Sequence, residues 1–204
     1  FGWCVEMNRE QTGALYIALS MVLFAFIGPM VRVMKVSNFV ILFYGNLAAF
    51  LVLIFFVLYR GRIRELISAE HKGLLIWVGI LNAVIVITFY TAYEVTTFAN
   101  TVFPHYIAPV IAALGAPFFL KEKLELKTLL SLALSMGGLY LILQNQGFVV
   151  GSEHLYGIIL SAVSGIAYGL IILIEKIVVG KVKPLIIMTY QTAFFVIWIP
   201  FIGP

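Results

Sequence analysis

The chemistry in this sequence sits in a few polar side chains set within long apolar runs. His105, flanked by Pro104 and Tyr106, lies ten residues into such a run. Its imidazole, with an ordinary pKa near about 6.5, can hydrogen-bond a substrate, exchange a proton, or tie its own helix to a neighbour. Ser161, Ser164, Tyr168 and Glu175 recur at helical spacing, so they form one stripe. A polar stripe facing lipid is costly, which turns this one toward the interior or a cavity. Tyr168 is mid-run and fits a cavity; Glu175, beside Lys176 at the end of the run, reads as a boundary carboxylate reaching water. Asn82, Phe89 and Tyr93 share a face with Thr88 and Tyr90 nearby, Thr189 to Thr192 concentrate polarity in the last run, and Tyr16 and Ser20 do so in the first.

Aromatic walls with a few hydrogen-bonding groups are the usual lining of a small-molecule site. The candidate substrate-binding set is therefore His105, Tyr168, Tyr90, Asn82, Ser164, Tyr190, Gln191 and Ser20. Interhelical hydrogen bonding and aromatic packing is the competing reading for each of them. An enzyme is not expected, because Glu94 and His105 are joined by no nucleophile or metal set. The single cysteine, Cys4, excludes an internal disulfide, and His71, His105 and His154 are too scattered for a zinc motif, so no metal is expected. No glycine-rich phosphate loop is present, hence no nucleotide cofactor is expected.

The elements that must carry these groups are membrane helices. Of 204 residues 63% are hydrophobic and only 11% charged, whereas a soluble domain carries roughly 25% charged residues. Crossing a bilayer takes about 20 apolar residues. About seven runs qualify, approximately Thr12–Val31, Val36–Tyr59, Gly73–Tyr93, Val95–Leu120, Thr128–Leu143, Leu155–Ile174 and Pro184–Phe201. Pro104 does not divide the fourth, since membrane helices tolerate proline. Residues 62–72 place Ile63, Leu66 and Ile67 on one face, as an interfacial helix or a frayed loop.

Basic residues collect in alternate links. Arg9, Arg60, Arg62, Arg64, Lys72, Lys121, Lys123, Lys127, Lys176, Lys181 and Lys183 fall on one side, and Arg32 and Lys35 on the other. The positive-inside rule then puts the N-terminus in the cytoplasm of a cell-membrane (plasma or inner-membrane) protein. The net charge of +4 reflects orientation, and nucleic acid is not expected as a partner. The start at Phe1 and the end at Pro204 suggest a fragment.

Gly13–Arg32 aligns with Gly157–Lys176 at constant offset, and Tyr44 meets Tyr190 after a two-residue slip. The copies are offset by five spans, an odd-numbered unit, so the repeat is inverted, an arrangement that lets a carrier open to either side. Gly165 and Gly169, Ala112 and Ala116, and Ser131 and Ser135 are small-residue pairs that admit close helix approach, within the chain or in a homodimer. Gly28-Pro29 is a candidate kink.

Thr91–Asn100, Ile107–Leu114, Phe119-Leu-Lys-Glu-Lys-Leu124 and Leu132–Gly138 follow one another as in the EamA-type domain of the drug/metabolite transporter superfamily, which this sequence resembles over spans one to five. Two departures stand out: Lys121 replaces a common glycine, and Phe43-Tyr-Gly45 replaces a segment that often holds arginine. The resemblance implies an all-α bundle with a first five-helix repeat at 11–145 and the opening helices of a second, inverted one at 155–204, truncated after the seventh helix. It implies a secondary transporter, commonly an exporter of small metabolites, amino acids or drugs, with lipid around it and protons as a candidate coupling ion. A non-transporting accessory subunit or a seven-helix receptor-like protein is the alternative.

Overall fold

The computed structural model describes residues 9–26, 38–145, 147, 149 and 151–202. Its helices are α1 Arg9–Ala25, α2 Asn38–Tyr59, α3 Ile63–Ile67, α4 Lys72–Val95, α5 Phe98–His105, α6 Ala108–Phe119, α7 Leu126–Leu143, α8 Ser152–Val178 and α9 Pro184–Ile202. Five segments among the described residues are long and apolar enough to cross a membrane: Leu42–Tyr59, Lys72–Val95, Phe98–Phe119, Leu126–Leu143 and Ser152–Val178. Pro184–Ile197 is a shorter apolar segment. With no strand among the described residues, the protein is an all-α polytopic membrane bundle. The Gly28-Pro29 kink, the end of the expected first span, and Arg32 and Lys35 lie outside the described residues.

The chain divides into two units, Phe1–Leu42 and Phe43–Pro204. In the first, α1 carries Ser20, whose hydroxyl donates to the Tyr16 carbonyl at 2.8 Å. In the second, α8 is the central helix, packed against α4, α5 and α6, and α9 packs against α4. Val57, Leu75, Val78, Ile171, Val178, Val182, Ile186 and Ile187 form an apolar cluster near the basic links. At the same end Lys183 pairs with Glu65 on α3 at 2.7 Å, and Lys176 pairs with Glu122 at 2.5 Å.

Small residues let α8 lie close along α5 and α6. A Cβ on Gly157 would stand 2.6 Å from Thr96 Cγ2, and one on Gly169 would stand 2.8 Å from the Ala108 carbonyl oxygen. Between them Ser161 donates to the Thr101 carbonyl, and Gly165 faces the Pro104 and His105 carbonyls. Partners therefore advance together along both segments, which makes α8 parallel to α5 and α6. The Gly165–Gly169 pair is thus used within the chain.

The fourth run is one apolar segment, undivided at Pro104, and it is built from two helices: α5 ends at His105 and α6 starts at Ala108. Pro109 has no N–H for the His105 carbonyl, and its ring crowds that oxygen, so the regular ladder fails there. Tyr106 N–H still donates to the Val102 carbonyl at 3.1 Å, while Ile107 N–H turns to Pro104 at 3.2 Å, a tighter turn.

Candidate functional site

The bend between α5 and α6 lies beside the middle of the 27-residue α8, where Ser164 and Gly165 meet it. His105 Nδ1 is 2.8 Å from Ser164 Oγ. Ser164 Oγ sends its own hydrogen to the Ser161 carbonyl at 2.6 Å, so its oxygen accepts and His105 Nδ1 donates. In the neutral ring that leaves Nε2 as an acceptor, with no hydrogen-bond partner among the described residues. The tautomer follows from the serine alone.

Two aromatic rings flank the imidazole. Phe89 of α4 is 4.7 Å from it between centroids, and Tyr168 of α8 stacks at 5.6 Å with the planes 8° apart. Tyr168 is 44% exposed, so part of its ring remains open beside the imidazole. Phe89 also meets Tyr90 edge-on at 5.7 Å. The site thus offers the imidazole Nε2, tyrosine hydroxyls and aromatic surfaces.

A second polar group lies nearer the basic links. Gln191 of α9 donates through Nε2 to Glu175 Oε1 at 2.6 Å, and Asn82 Nδ2 reaches the Gln191 carbonyl at 3.4 Å. This revises the reading of Glu175 as a boundary carboxylate turned to water. Neighbouring residues on a helix point about 100° apart, so Lys176 reaches Glu122 while Glu175 turns inward.

The structure brings His105, Ser164 and Tyr168 together, with Tyr90 joined through Phe89. Asn82 and Gln191 form the second group. Tyr190 is elsewhere, its hydroxyl donating to the Leu66 carbonyl at 2.9 Å, and Ser20 belongs to the other unit. Phe89 was visible on an aromatic face but not as a neighbour of His105, and Ser161 on a polar stripe but not as the carbonyl that orients Ser164.

Asn100 was not singled out by the sequence. It is fully buried and donates to Thr96 Oγ1 at 3.0 Å and to the Val149 carbonyl at 2.8 Å, while its Oδ1 accepts from Val149 N–H at 3.3 Å. Its role is to hold the α7–α8 link over the start of α5. Thr97 caps that helix by accepting from the Asn100 N–H.

No cluster of three or more metal-ligating side chains occurs among the described residues. A family model described as the EamA-like transporter family matches residues 11–144. Over 117 residues the chain is 31% identical to an uncharacterized transporter of Archaeoglobus fulgidus, a match covering 57% of this chain and 41% of that protein. The chain thus spans less than half of that relative in the matched region. No solved structure matches it.

Proposed function

This chain belongs to the EamA-like transporter family, and on that premise we propose that it is the substrate-binding part of a secondary carrier for small metabolites, amino acids or drugs. The observation that carries the proposal is the bend after His105, where a hydrogen-bonding imidazole, Ser164 and two aromatic rings converge beside the middle of α8. Interrupted helices at mid-membrane are a recurrent way of building a carrier site, because backbone and side-chain groups there can meet substrate without facing lipid. Nε2 of His105 accepts a hydrogen bond from a substrate N–H or O–H group, and Phe89 and Tyr168 cover its apolar part.

Alternating access is the mechanism we propose, with residues 11–145 as one five-helix repeat and 155–204 as the start of its inverted partner. The basic links then face the cytoplasm of a plasma or inner membrane, which puts the N-terminus inside, and export is the proposed direction. Exchange or an ion gradient supplies the driving force.

A Tyr168→Cys variant in a Cys4→Ser background tests this. A membrane-impermeant maleimide added to one side and then the other of reconstituted vesicles should label Cys at that position from both, with protection by transported compounds. Labelling from one side only, unaffected by any compound of a mixed metabolite panel, would overturn alternating access at this site.

A further inference from the structure

We infer that Glu175 is the proton-exchange site of this carrier; the inference rests on the carrier reading and adds the coupling ion to it. Five carboxylates, Glu65, Glu70, Glu122, Glu125 and Glu175, lie near the basic end of the second unit, and their surroundings differ in kind. Glu65 is paired with Lys183 and Glu122 with Lys176. Glu175 receives instead a neutral amide, Gln191 Nε2, at 2.6 Å, and makes no ion pair among the described residues. It is also the one glutamate among those whose burial is described that is not exposed.

That difference has a chemical consequence. A lysine partner favours the carboxylate, because protonating the acid leaves an ammonium without its counter-charge. An amide donor favours it far less: Gln191 can donate to Oε1 whether the group is a carboxylate or a carboxylic acid, and the proton is taken up on Oε2. A proton arrives from water on one side, neutralises Glu175 with its amide contact intact, and leaves to the other side after the helices rearrange. An ionisable group held within a membrane helix by uncharged partners is suited to that task.

The groups around Glu175 support the assignment. Asn82 on α4 is neutral and reaches the Gln191 carbonyl, and Tyr190 on α9 is committed to Leu66. Lys176 and Lys183 are each engaged by another carboxylate. Lys123 and Lys181 are exposed. His105 faces Gly165, ten residues earlier on α8 and so about 15 Å away along the helix. Substrate and proton sites are therefore separate places on one helix.

The test treats the folded full chain, reconstituted in vesicles, with dicyclohexylcarbodiimide, which attacks protonated carboxyls in apolar surroundings, and maps the adducts by mass. Glu175 should be labelled in preference to Glu65 and Glu122, and labelling should fall as pH is raised. Glu175→Gln, which keeps an amide-bonding partner for Gln191, should lose accumulation driven by a pH gradient yet retain exchange of a labelled amino-acid pool. Glu175 labelled no more than Glu65, or accumulation unchanged in Glu175→Gln, would overturn the inference. Failure of the wild type to exchange any compound would instead count against the carrier reading, with the labelling pattern still deciding whether Glu175 takes up a proton.

Discussion

Alanine at position 165 puts the α8 contact with the bend to a quantitative test. Its Cβ would stand 2.6 Å from the His105 carbonyl oxygen, 2.9 Å from that of Pro104 and 2.9 Å from Ile107 Cγ2. The first of these is roughly 0.8 Å short of ordinary contact, and two of the three neighbours are backbone atoms that no rotamer change can move. Overpacking of this kind costs about 1–3 kcal/mol, against about 1 kcal/mol gained by alanine over glycine in a helix. Gly137 on α7 is the control, since a Cβ there meets nothing within 4 Å and the helical gain is the same. Gly165→Ala should therefore be less stable than Gly137→Ala by about 1–3 kcal/mol, the propensity gain cancelling between them. Unfolding by titrated SDS in mixed micelles, followed by far-ultraviolet circular dichroism, measures the difference. Equal stability of the two variants would refute the close approach of α8 to the bend.

Ser164→Ala removes the acceptor from His105 Nδ1 and should cost about 1 kcal/mol, near the low end for an unpaired donor because His105 is only half-buried; the same SDS titration checks it, with Ser164→Thr expected to recover part of the loss. Asn100→Ala should cost about 2–3 kcal/mol, since it deletes three side-chain hydrogen bonds and strands buried polar groups; amide hydrogen exchange at Val149 should accelerate with it. Lys121 holds a left-handed backbone at φ 57° just after the α6 C-cap, Leu120, so Lys121→Gly should raise stability by about 0.5–1 kcal/mol in thermal melts, as relief of side-chain strain outweighs the added chain entropy.

The spans were legible because lipid demands long uncharged runs, and residues of one helix keep their spacing whatever packs against them. Ser161, Ser164 and Tyr168 could be read as one stripe for that reason, and Gly165–Gly169 as a close contact. Pro104 is accommodated within α5, and the break follows instead from Pro109, which removes the bond to the His105 carbonyl. Long-range partners were not legible either. Tyr190 reaches Leu66 and Asn100 reaches Val149 only through the rotation and crossing of whole helices, which periodicity does not encode. Glu175 was read as a boundary group from its neighbour Lys176, yet adjacent positions on a helix face different ways.

Flux through reconstituted vesicles tests the central claim most directly. The full chain, and His105→Ala beside it, would be assayed for uptake and efflux of a mixed labelled panel of amino acids, other small metabolites and aromatic drugs, with and without a pH gradient. The account predicts saturable flux of at least one class in the wild type and its loss in His105→Ala with the fold preserved. Flux by His105→Ala equal to that of the wild type, or no flux of any compound by correctly folded wild type, would contradict it.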